Sequence, residues 1–124
     1  MKRLALALLL ALNIATGCAS APPQNPAQAV YAAHGTYTVA LTAAVKYKQL
    51  PRCGPATVMP LCSKAEVVAD LQKADDVAYA ALSAAQAIVR SPNAGAGAIQ
   101  AALFNANQAV SAFAAIAKTL GVSQ

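Results

Sequence analysis

Three stretches of this chain repeat apolar positions at alternating steps of three and four, the spacing that lines one face of an α-helix. The first opens at "NPAQ", where Asn25 offers a capping oxygen and Pro26 suits the first helical position, its missing N–H costing nothing there. Behind it Val30, His34, Tyr37, Leu41, Ala44 and Lys48 form the stripe, with Tyr31, Thr38 and Val45 alongside. The glycine and β-branched residues of "HGTYTV" would suit a strand. Alanine dominates both flanks, however, and the pattern predicts a helix that Pro51 ends.

The second stretch follows "SKAE", a capping box in which the Ser63 hydroxyl accepts from the Glu66 amide and the Glu66 carboxylate reaches back. Val67, Leu71, Ala74, Ala78, Ala81, Ala85 and Ile88 then make a heptad-like seam. Lys73 stands three residues from both Asp70 and Asp76, adding modest surface support. "RSPNAG" stops this helix at Pro92. The third helix is expected from about Ala96 to Leu120, along Ile99, Leu103, Ala106, Val110, Phe113, Ala117 and Leu120. Gly121 is its expected terminator, and Gly95 and Gly97 imply a frayed or closely packed start.

Rods of similar length joined by about a dozen and about four residues predict an all-α domain, an antiparallel up-down-up three-helix bundle spanning 26–124. Its core is expected to be thin. The chain is 58% hydrophobic but only 5% aromatic, so the apolar content is mostly alanine, which buries little area per residue. Something must supplement it.

Upstream, "MKRLALALLLALNIATGCAS" has the layout of a cleaved export signal: Lys2 and Arg3, an apolar run from Leu4 to Leu12, then small residues. The run falls short of the roughly 20 apolar residues that a membrane span needs. Two cuts compete. "ASA", Ala19 to Ala21, fits ordinary signal peptidase. "ATGC", residues 15–18, resembles a bacterial lipobox, with Ala15 where leucine is usual; residues 1–17 would be removed and Cys18 acylated. Residues 18–25, rich in Pro, Ser and Gln, then read as a short tether. Ala19, where an aspartate is absent, fits the outer-membrane sorting pattern better than the inner.

Lipid on Cys18 leaves an even pair in "LPRCGPATVMPLCSK". In an exported chain Cys53 and Cys62 are expected to form a structural disulfide, closing about ten residues and removing about 2.5–3 kcal/mol of unfolded-state entropy. Zinc would want about four ligands, and only the distant His34 remains. Thioredoxin-like chemistry wants two residues between the cysteines, whereas eight intervene here.

No other grouping reads as catalytic. His34 has no designated nucleophile or orienting carboxylate and reads as a partly buried helix residue. Asp75 and Asp76 are adjacent on a helix, about 100° apart, and cannot converge on one bond. Glu66 and Asp70 sit where a helix dipole favours acids. "AGAGA", 94–98, has neither a preceding strand nor a following Lys-Ser/Thr, so it is no phosphate loop. Tyr31, Tyr37, Tyr47 and Tyr79 read as core or rim residues. The formal charge of +5 falls to +3 once Lys2 and Arg3 are set aside. That remainder suits a site near anionic lipid and is too scattered for nucleic acid.

"LPRCG…LCS" followed by "VVADLQKADDVAYAAL" resembles small lipoproteins of alphaproteobacteria and their prophages, over residues 1 to about 90. The resemblance implies lipidation at Cys18 and a paired Cys53 and Cys62; that family brings no activity with it. The expectation is a non-catalytic periplasmic structural or interaction module, without cofactor or metal, tethered to a membrane by its lipid. A protein partner and self-association are expected with it. Release as a soluble binding or inhibitory module after Ala21 is the alternative.

Overall fold

The computed structural model describes residues 25–56 and 62–120, which form three helices: α1 (Pro26–Gln49), α2 (Ala65–Arg90) and α3 (Ala96–Thr119). Cys18, Gly121 and the whole leader lie outside the described residues. At 1.5 Å per residue the helices of 24, 26 and 24 residues run about 36–39 Å. Contacts fix their directions. Tyr47 meets the start of α2, Tyr37 meets Asp75 farther along, and Val30 shares a groove with Val89 near its end. Ala109 and Ile116 line a groove with Val77 and Asp70. So α2 runs against both neighbours, the up-down-up bundle the spacing predicts.

Local chemistry explains each boundary. The Gln28 N–H donates to Asn25 Oδ1 at 2.9 Å, and Pro26 occupies the first turn. The stretch with strand character is helical, and threonine hydroxyls in it and just beyond it bond back to the helix. Thr38 Oγ1 donates to the His34 carbonyl and Thr42 Oγ1 to the Thr38 carbonyl, both at 2.8 Å. Pro51 follows the Leu50 cap.

Two expectations are corrected at the α1–α2 junction. Ser63 does not head a capping box: the cap residue of α2 is Lys64, whose side chain makes no capping bond. The Ser63 hydroxyl is buried and donates to the Leu50 carbonyl at 3.0 Å. Its backbone forms an isolated parallel bridge with Arg52, through Ser63 N–H to the Pro51 carbonyl and Cys53 N–H to the Ser63 carbonyl. Closing the loop outcompetes capping the helix. The α1 stripe is also rotated. Val30, Ala33, Ala40, Ala44 and Tyr47 are buried, Tyr37 and Leu41 pack partly against them, and Lys48 is exposed. Tyr47, fully enclosed, turns the last helical turns inward at its own position instead of at Lys48.

Along α2, Leu71, Ala78 and Ala85 are buried as the seam predicts, while Val67, Ala74, Ala81 and Ile88 are half-buried. Val68 and Leu82 are buried as well, because α2 packs on both neighbours and so buries a wider stripe than one seam. On α3, Ala106, Val110, Phe113, Ala117 and Leu120 are buried, joined by Ala102, with Ile99 and Leu103 half-buried. A Cβ added at Gly95 or Gly97 would meet nothing within 4 Å, so close packing does not explain these glycines. Eight of the sixteen residues of the buried cluster are alanine. Each contributes about one methyl of burial against about 1.5–3 kcal/mol for a large side chain, so Tyr47, Leu71, Leu82, Val110 and Phe113 dominate the core.

Candidate functional site: a locked distal end and an acid-free proximal end

At the end of the bundle distal to Asn25, Cys53 and Cys62 lie at disulfide-bonding distance, their Cα atoms 4.9 Å apart. Cys62 is fully buried beside Ser63. Beneath them the Tyr47 hydroxyl accepts from the Lys64 N–H at 3.0 Å, satisfying one of the amides that a helix start leaves open. Tyr47 thus gives the start of α2 a side-chain acceptor on the Lys64 amide, not on the Glu66 amide that the capping box assigns to Ser63. A buried tyrosine within reach of a helix start was the available signal, but its partner lies 17 residues on in the chain.

Midway along the rods, Tyr37 Oη donates to Asp75 Oδ1 at 2.7 Å. Its ring lies 5.8 Å from Phe113 and 6.5 Å from Tyr79, centroid to centroid. Burial and the hydrogen bond to Asp75, with the negative charges of Asp75 and Asp76, push the Tyr37 hydroxyl up to about 12. A phenol so held is a fixed donor that orients Asp75, and a poor proton shuttle near neutrality. The two aspartates part company as helix geometry requires: Asp75 is half-buried against Tyr37 and Asp76 is exposed. The cavity beside Asp75, between Leu41, Val45, Val68 and Phe113, holds about 140 Å³, well under the roughly 300 Å³ at which small-molecule sites begin.

The proximal end differs in kind. His34 is half-buried, and its Nε2 is buried with no hydrogen-bond partner among the described residues. It lines an open groove of about 440 Å³ with Ala27, Val30, Tyr31, Val89 and Arg90. Of the four tyrosines, Tyr47 is core, Tyr37 is half-buried, and Tyr31 and Tyr79 are 82% and 61% exposed. Among the described residues no three His, Cys, Asp or Glu side chains gather as a metal site would require. No described helix is long and apolar enough to cross a membrane.

The class these features define is an all-α three-helix bundle whose inter-helix loop carries a disulfide-distance cysteine pair. No protein-family model, curated protein or solved structure matches the chain.

Proposed function

We propose that this chain is a bacterial envelope lipoprotein, exported, cut before Cys18, acylated there and held at a membrane in the periplasm. The missing aspartate after Cys18 favours the outer membrane over the inner. The bundle serves as a structural or protein-interaction module without catalysis. The observation that carries this reading is the leader, in which Lys2 and Arg3, an apolar run and "ATGC" precede a short polar spacer ending at the Asn25 cap. The disulfide-distance pair supports export, because such bonds persist in oxidising compartments. The lipoprotein resemblance of the cysteine loop supports the same placement.

The small-x-small run from Ala19 to Ala21 favours a second reading, a soluble periplasmic module beginning at Pro22. Intact-mass analysis of the mature protein separates the two. A diacylglyceryl group on an amino-terminal Cys18 is the expected result, with Cys18→Ser moving the protein from the membrane to the soluble fraction. A lipid-free chain starting at Pro22 would replace the tether with the soluble module.

A further inference from the structure

The tether, if attached as proposed above, enters the bundle at one end only, and the chemistry of that end is unlike the rest. From Asn25 to Val45, and again from Val77 to Ala117, the only Lys, Arg, Asp or Glu is Arg90. These stretches cover most of α1, the second half of α2 and most of α3, so Arg90 is the one such charge among the described residues of the proximal half. The other described charges lie between Lys46 and Asp76 or at Lys118. All four acids stand in the first half of α2, and the nearest, Asp76, precedes Arg90 by 14 residues, about 21 Å of helix.

We infer that the proximal end of the bundle is a membrane-docking surface, seated in the phospholipid headgroup layer with the helices standing off the bilayer. This rests on the tether at Cys18. Six residues lie between Cys18 and Asn25, and the seven steps from one to the other span at most about 25 Å, so the α1 start stays near the lipid. Charge complementarity selects the occupant. Arg90 ends α2 beside the amino-terminal ends of α1 and α3, and no acid opposes it, a set that favours lipid phosphates.

Side-chain type agrees. Tyr31, 82% exposed and about 8 Å above the α1 start, presents an amphipathic ring at the depth where tyrosine is enriched beside bilayers. Arg90 can lay its stem along the groove wall and extend its guanidinium to phosphate. Phe104, 63% exposed and about 12 Å along α3, is a second exposed aromatic ring in the proximal half. The groove between α1 and α2, with Ala27, Val30 and Val89 along it and Gln86 and Arg90 among its lining residues, gives a lipid's glycerol region an apolar wall with polar contacts at its side.

The chain has no tryptophan, so single tryptophans report position cleanly. Lipidated full-length Tyr31→Trp and Val45→Trp, 14 residues apart on one helix, are placed in vesicles of phosphatidylethanolamine and phosphatidylglycerol with brominated acyl chains. Circular dichroism checks that both remain helical. Tyr31→Trp is expected to lose about half its emission, as an interfacial ring would, and Val45→Trp almost none. Adding Arg90→Glu is expected to relieve the Tyr31→Trp quenching. Equal quenching at both sites means a bundle lying flat and overturns the inference; no quenching at either means a bundle held off the lipid and does the same. Burial of Tyr31→Trp in lipid-free detergent that disappears on dilution would assign the surface to a second copy and also overturn it. The mass spectrum of the same sample separates the two readings. Acylated protein with equal quenching keeps the tether and loses the surface. Unacylated protein with end-selective quenching keeps the surface and loses the tether.

Discussion

The two ends of this bundle are held together by different means. The distal end has a close-set cysteine pair, a backbone bridge, a buried serine hydroxyl on the Leu50 carbonyl and a buried tyrosine on the Lys64 amide. The proximal end has the Asn25 cap, an uncapped start to α3 and half-buried side chains around a groove. Directional bonds specify the first; small apolar contacts hold the second. The contrast teaches that stability and exposure are segregated along the helix axis. The end that keeps the rods in register is the one distal to Asn25, and the proximal end, where Arg90 is the sole charge among the described residues, is less tightly closed and available for contact.

Breaking the shared core should have the largest effect. Phe113→Ala removes the enclosed ring that packs on Tyr37, and a loss of about 3–5 kcal/mol is expected in urea unfolding. Next comes the distal clamp. Cys53→Ala with Cys62→Ala is expected to cost about 2.5–3 kcal/mol, and reduction of the wild type should reproduce that shift. Tyr47→Phe strands the Lys64 amide and should cost about 1–2 kcal/mol, with faster amide exchange in the first turn of α2. An equal exchange profile at both ends would erase the comparison.

The proximal half should instead gain. Gly35→Ala places a methyl where nothing lies within 4 Å, in a helix interior, and should stabilise by about 0.5–1 kcal/mol. The pH effect sharpens the middle of the rods. Because the Tyr37 hydroxyl is raised to about 12 in the fold, against about 10 when unfolded, the native state keeps a proton that the unfolded chain has lost. Stability is therefore intact below about pH 10 and falls as pH rises toward about 12. In Tyr37→Phe, that part of the alkaline decline should disappear from a pH series of thermal melts.

How legible these ends were depended on side-chain size. The α3 seam could be read directly, because Val110, Phe113 and Leu120 mark one face against Asn, Gln and Ser. On α1 alanine lies on nearly every face, so periodicity could not separate Ala33 and Ala40 from their neighbours, and the stripe was assigned one step out of register at Lys48. The capping box failed because a local motif competed with a loop closure that draws Ser63 back to Leu50 and Pro51. The cysteine pair was plain in the spacing. The charge segregation was present along the chain as two stretches whose sole charge is Arg90, yet only folding α2 back against α1 and α3 brings the remaining charges toward the other end.

The enclosed alanines carry a consequence for how this chain can change. Ala78 and Ala85 retain no solvent exposure, and Ala106 almost none. An added methyl there has no empty volume to enter and acts as a wedge that levers neighbouring rods apart, at about 1–3 kcal/mol each. Drift at these positions is one-sided: glycine can replace alanine at about 0.5–1 kcal/mol, whereas valine or leucine splays the axes. The bundle is thus a tight fit built from small parts, and any enlargement must start on its outer faces.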